Sequence, residues 1–131
     1  ITSILSSYIL KLKITDLILP FFGDLHHDHN KITYSGLVSS RPFGKIKNVM
    51  FYETLSETEW GYSQNFVPNY FVSLEKKIID KKIQSFKLYK SQNKNKNHPR
   101  SSNGIITLAK YRGSNICKDF AESFIILRLI D

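Results

Sequence analysis

Apolar residues at the start of the chain recur at helical spacing. Ile4, Tyr8, Ile9 and Leu12 fall on one side and predict a helix over Thr2–Leu12. The run "DLILPFF" follows, bounded by Asp16 and Gly23. It is too short for a helix and predicts a strand buried on both faces, as in a parallel sheet covered by helices. Pro20 should sit near the end of that strand, and Gly23 lets the chain turn. A second helix is predicted over His27–Ser39, with Ile32, Leu37 and Val38 inward. "RPFGK" ends it, because Pro42 and Gly44 are breakers. "NVMFYE" reads as another buried strand, Leu55–Asn69 as a polar and aromatic loop, and "YFVSL" as a short strand or lead-in. Ser73 then caps a helix running to about Lys90, whose stripe is Leu74, Ile78, Ile79, Ile83 and Phe86. After the loop "SQNKNKNHPRSSNG", Ile105, Ile106, Leu108 and Ala109 mark a helix capped by Ser101. It ends near Arg112–Gly113, where the glycine supplies a left-handed stop. "SFIILRLI" is the last strand.

Strands alternating with helices predict an α/β layer architecture with a mainly parallel sheet. Such sheets bind ligands beyond the carboxyl ends of their strands. The stretch "GDLHHDH" lies directly beyond one. Three of the four histidines are there, His26, His27 and His29, with Asp24 and Asp28 among them.

Composition narrows the chemistry. The 131 residues amount to one domain at most, and 41% hydrophobic and 13% aromatic content fits a globular chain. The single cysteine, Cys117, excludes an internal disulfide and a thiolate zinc site. A reducing, cytoplasmic compartment is the corresponding expectation. No apolar run approaches the roughly 20 residues of a membrane span. The apolar start, broken by Lys11, Lys13 and Asp16, does not read as a signal peptide. The net charge of +8 admits polyanion partners. Its lysines are spread along the chain, however, and nucleic acid is not the expected partner. There is no GxSxG, P-loop or GxGxxG pattern.

Any metal must therefore be held by imidazole and carboxylate. His26 and His29 stand one helical turn apart and can face one cavity, with Asp28 placed to orient an imidazole. The other reading is surface histidines in a polar loop, and His27 fits that one. Arg41 and Arg100 are candidates for substrate phosphate or sugar hydroxyls, or are solvated arginines near turns. Trp60 and Tyr62 form a sugar-stacking wall or a cover for the core. Glu53 is a site residue at the carboxyl edge of the sheet or a capping or salt-bridge carboxylate, His98 approaches the site from a lid-like loop or is an exposed loop histidine, and Glu122 is a buried partner for an arginine or an exposed strand residue.

The ordered pieces "GDLHHDHN", "RPFGKIKNVMFYETLSETEW", "NFVPNYFVSLEKKI", "YKSQ", "HPRSSNGIITLAKYRG" and "AESF" resemble the C-terminal half of the LmbE-like (PIG-L) N-acetylglucosaminyl deacetylases, from about Asp16 onward. The resemblance implies a Rossmann-like three-layer fold and a zinc-dependent hydrolase. Its substrates would be N-acetylated amino sugars on glycosides, glycolipids or polysaccharide precursors. Carried over from the family's His-Pro-Asp-His motif, His29 is the zinc ligand, His26 the assisting catalytic imidazole and Asp28 its orienter. His27 replaces the family's proline. The family's His-Pro-Asp-Asp-Glu motif, which supplies the other ligands and the general base, is absent, as are the first strands. The chain also begins with Ile rather than Met. The expectation is a single partial domain over 1–131, carrying an incomplete zinc site and inactive by itself. A non-enzymatic basic domain binding anionic glycan or nucleic acid is the alternative, and a decayed gene remnant the third reading.

Overall fold

The computed structural model describes residues 1–42, 44–62 and 64–131. Phe43 of "RPFGK" and Ser63 of the aromatic loop lie outside the described residues. The elements follow in the order α1 (Thr2–Leu12), β1 (Asp16–Pro20), α2 (His27–Ser39), β2 (Asn48–Tyr52), β3 (Tyr70–Ser73), α3 (Lys76–Lys87), α4 (Ser102–Ser114) and β4 (Ala121–Arg128). The chain divides into two compact units, Ile1–Asn69 with Phe124–Asp131, and Tyr70–Ser123.

The strand order is β1-β2-β4-β3. Strands β1 and β2 pair in parallel, Asp16 opposite Asn48 through Pro20 opposite Tyr52, while β2 and β4 are antiparallel. The fold is thus mixed α/β with one parallel pair in a mostly antiparallel sheet. This corrects the expected mainly parallel sheet. A continuous apolar run signals a covered strand but carries no direction, and "SFIILRLI" supplies an antiparallel interior strand.

In the first unit β1, α2 and β2 form a β-α-β crossover, the connection that parallel neighbours require. Ile9, Leu19, Phe21, Ile46, Val49 and Phe51 make its core. Helix α2 lies against β1 through small residues. Thr33, Ser35 and Gly36 are its buried positions, whereas Ile32, Leu37 and Val38 are only half-buried. A Cβ on Gly36 would stand 2.5 Å from Leu19 Cδ2, so a larger residue would have to displace the Leu19 side chain from its place in the core. The Thr33 hydroxyl donates to the Pro20 carbonyl at 2.8 Å, tying the helix to the end of the strand. Just before β2, at the other end of the strands, the Arg128 guanidinium donates to the carbonyls of Ser40, Ile46 and Lys47. Strand β1 is an edge strand among those described, and Ile18 is 51% exposed. The expected burial of β1 on both faces therefore fails at its outer face.

In the second unit Ile79, Ile83, Ile105, Ala109 and Ala121 are buried. Helix α3 starts later than expected, with Glu75 rather than Ser73 at its N-cap. The Leu74 N–H is taken by the Phe120 carbonyl at 2.9 Å, which keeps Ser73 in the strand. Ser101 does cap α4, accepting from the Gly104 N–H at 3.0 Å. Gly113 is no left-handed stop. It lies inside α4, where a Cβ would meet the Lys118 carbonyl at 2.5 Å, and the left-handed residue is Cys117.

Leu19 and Ile18 are adjacent but face opposite ways, which separates their energetics. Leu19→Ala should cost about 2–5 kcal/mol in urea denaturation, as a truncation inside a packed core. Ile18→Ala should cost under about 1 kcal/mol. Equal losses would contradict the exposure of Ile18 and the burial of Leu19 on opposite faces of β1.

Candidate functional site

The chain leaves β1 still paired, the Phe21 N–H donating to the Tyr52 carbonyl at 2.9 Å. A turn follows, closed by the Asp24 N–H on the Phe21 carbonyl at 3.1 Å. Gly23 takes no left-handed conformation there. It is small because a Cβ would collide with the Phe21 ring. The loop after β2 lies against this turn. The Leu25 N–H donates to the Glu57 carbonyl at 3.1 Å, and a Cβ on Gly61 would collide with the Gly23 carbonyl. The Asn30 side-chain amide donates to the carbonyls of Asp24 and His26, holding the turn against the first turn of α2.

His26 is the N-cap of α2, its Nδ1 accepting from the backbone N–H of Asp28 at 3.2 Å. An Nδ1 that accepts keeps its lone pair, so the neutral ring carries its proton on Nε2. His26 and His29 stack with centroids 4.8 Å apart and planes 27° from parallel. His29 Nδ1 lies 2.8 Å from Asp24 Oδ2. The Asp24 side chain is fully buried, while that of His29 is 23% exposed. The Thr58 hydroxyl donates to Asp24 Oδ1 at 2.5 Å.

The sequence placed His26 and His29 together, and they are together. Asp28 also lies here, but the bond that orients His26 comes from its backbone N–H. Arg41 follows the far end of α2. Twelve rises of about 1.5 Å between the first and last of its 13 residues put the two ends about 18 Å apart. One substrate group held by both His29 and Arg41 would have to span that helix. Arg100 belongs to the second unit, where its guanidinium donates to Gln92 Oε1 at 2.7 Å and its backbone N–H to His98 Nδ1 at 3.0 Å. Glu122 pairs with Lys82. Sequence reasoning assigned no role to Asp24 or Thr58. Asp24 had a signal, since it shares the His-rich stretch. Thr58 is distant in sequence and had none.

Burial, then the negative charge of Asp24, raises the Tyr52 phenol above its ordinary 10.0. Tyr52 is therefore a neutral hydroxyl at the carboxyl end of β2.

The donor chemistry fits a metal in part. A ligating imidazole commonly gives its other nitrogen to a carboxylate, as His29 does to Asp24, leaving Nε2 for the ion. Among the described residues no group of three or more His, Cys, Asp and Glu could hold a metal. A catalytic zinc ordinarily takes three protein ligands. These residues thus match one ligand of such a site with its orienting carboxylate.

A β-α-β unit with paired imidazoles beyond its strand ends suits hydrolytic chemistry on an α/β fold, and solved structures share that fold. The conserved protein TT1542 from Thermus thermophilus superposes with a TM-score of 0.77 at 18% identity, covering 99% of this chain and 59% of that one. N,N'-diacetylchitobiose deacetylase from Pyrococcus horikoshii gives 0.73 at 16%, covering 97% and 51%. The zinc-inhibited form of teicoplanin deacetylase Orf2 gives 0.71 at 18%, covering 99% and 51%. The chain thus spans about half to three-fifths of the length of these proteins. No family model and no curated protein sequence matches it. Over most of its length the chain shares the fold of these proteins.

Asp24→Asn removes the charge near Tyr52 and leaves the burial. In a spectrophotometric pH titration the phenol should move part of the way back toward 10.0. A raised folded value means that stability falls as pH climbs from the unfolded pKa through the folded one. In the variant that fall should begin and end over a narrower window. An unchanged phenol titration would show that the carboxylate's field does not reach the ring.

Proposed function

We propose that this chain is the C-terminal part of a zinc-dependent N-deacetylase domain, Rossmann-like and three-layered when whole, acting on N-acetylated amino sugars in glycosides, glycolipids or polysaccharide precursors. The observation that carries the reading is the His26–His29 pair, stacked at 4.8 Å on the first turn of α2 with buried Asp24 against His29. The shared fold of proteins described as chitobiose and teicoplanin deacetylases supports it. So does the crossover β1–α2–β2, which places the pair beyond the carboxyl end of a parallel strand.

In this reading His29 would hold the metal through Nε2, and Asp24 holds its ring. His26 offers Nε2–H to the oxygen of the tetrahedral intermediate, or passes that proton to the departing amine. The Asp28 N–H fixes His26 in the donor form. Tyr52 stays protonated and adds no negative charge near the acyl group. Bound zinc would supply acidification of water and polarisation of the acetyl carbonyl. The remaining ligands and the general base would come from outside these 131 residues, so the chain alone would not turn over.

The test is acetate release from an N-acetylglucosamine glycoside by the purified chain with zinc, and then by a polypeptide that adds an N-terminal deacetylase half. The chain alone should release none. The completed protein should be active, and His29→Gln should abolish that activity by removing a ligand. His26→Gln should lower kcat by about 10²–10⁴-fold, the usual contribution of a positioned acid. Turnover by the chain alone would overturn the incomplete-site reading. Salt-sensitive polyanion binding, with no activity in either form, would favour a basic binding domain.

A further inference from the structure

We infer that Thr58 is a positioning residue for the candidate site: its hydroxyl, held by a backbone amide, orients Asp24 and through it fixes His29 with the proton on Nδ1 and Nε2 open. This inference rests on the proposed role of His29 as a ligand, but its geometry is independent of any metal.

Hydrogen-bond direction makes the case. The Thr54 N–H reaches Thr58 Oγ1 at 2.7 Å. A backbone N–H can only donate, so this contact occupies a lone pair of the hydroxyl oxygen. The hydroxyl proton is then free for Asp24 Oδ1, 2.5 Å away. Both Asp24 oxygens act as acceptors, Oδ1 toward Thr58 and Oδ2 toward His29 at 2.8 Å. The last contact therefore requires a donor on the imidazole, and that donor is Nδ1–H. The chain of bonds runs one way, from an amide in the loop after β2 to the ring on α2. In the neutral ring Nε2 keeps its lone pair, the form that a metal ion takes.

The segments that meet here are fixed by further bonds. The Thr58 N–H donates back to the Thr54 carbonyl at 2.9 Å, closing the turn that presents the hydroxyl. Thr58 is 8% exposed and Asp24 3%, so water has little room to substitute for either bond. His26 differs. Its Nδ1 accepts from the Asp28 N–H, which places its neutral proton on Nε2. The stacked rings thus hold opposite tautomers, one offering a lone pair and the other a proton. Two backbone amides, those of Asp28 and Thr54, set that difference.

The measurement is long-range proton–nitrogen NMR of the imidazoles in the 131-residue chain without metal, at a pH well above the ordinary imidazole pKa of about 6.5. His29 is identified by the signal that His29→Gln removes. The wild type should show His29 with its proton on Nδ1. Thr58→Ser, which keeps the hydroxyl, should show the same. Thr58→Val should give a mixture with a large Nε2–H share. Asp24→Asn should reverse the tautomer, because an amide whose oxygen faces Thr58 presents a donor to His29. If Thr58→Val does not fold, the wild type, Thr58→Ser and Asp24→Asn still decide. A wild-type ring protonated on Nε2, a Thr58→Val ring unchanged from wild type, or an Asp24→Asn ring still on Nδ1 would overturn the inference. None of these results depends on acetate release, so the deacetylase reading can fail while the inference stands, and the reverse.

Discussion

A carboxylate buried with no solvent on its side chain is the constraint from which the rest of the site follows. An isolated ionised carboxylate is far too costly to remove from water, so Asp24 must be hydrogen-bonded on both oxygens. Its partners come from separate segments, Thr58 from the loop after β2 and His29 from the first turn of α2. Satisfying one carboxylate therefore docks a loop onto a turn and fixes a helix start. The small residues at that junction are consistent with this demand. Gly61 lets the loop backbone reach the Gly23 carbonyl, and Gly36 lets α2 reach Leu19. A site whose acceptor is this costly to expose is built before any ligand arrives.

Much of the fold was legible in the sequence. The bounds of α1 and α2, the capping of α4 by Ser101 and the positions of β1 and β2 follow local rules of periodicity, capping and breaking. What failed was information that local rules lack. The direction of β4 is a pairing property, invisible in "SFIILRLI". The start of α3 was lost to a bond between Leu74 and Phe120, residues distant in sequence. The inward face of α2 was read only in part: Leu37 does pack on the core, but close packing on β1 buries Thr33, Ser35 and Gly36 more deeply than the larger apolar neighbours. The site divides in the same way. Spacing alone placed His26 and His29 one turn apart. Asp24 stood in view but unassigned, since its partner lies across a helix cap. Thr58, 34 residues beyond Asp24, could be found only in three dimensions.

The edge position of β1 bears on the architecture. Ile18 is half-exposed on an edge strand of the described sheet. An unpaired apolar edge is a place where another strand can add, and solitary proteins usually blunt such edges. Lys11 and Lys13 precede β1 and Asp16 opens it, but no charge interrupts "LILP" itself. Together with coverage of only 51–59% of the solved structures, this agrees with the proposal that the described sheet is part of a larger one.

The two imidazoles look redundant in sequence and are complementary in structure. Stacked rings of like kind would repel if both were protonated, and neither would assist if both offered the same atom. His26 is capped by a donor and His29 faces an acceptor, so the pair presents one proton and one lone pair within a single helical turn. A hydrolytic site needs that polarity, an electron pair to hold an electrophile beside a proton to meet developing charge. A surface cluster of histidines has no reason to hold a buried carboxylate beneath one ring and a helix-start amide beneath the other. The opposed capping of the rings, rather than the count of histidines, is what favours a chemical role for this stretch.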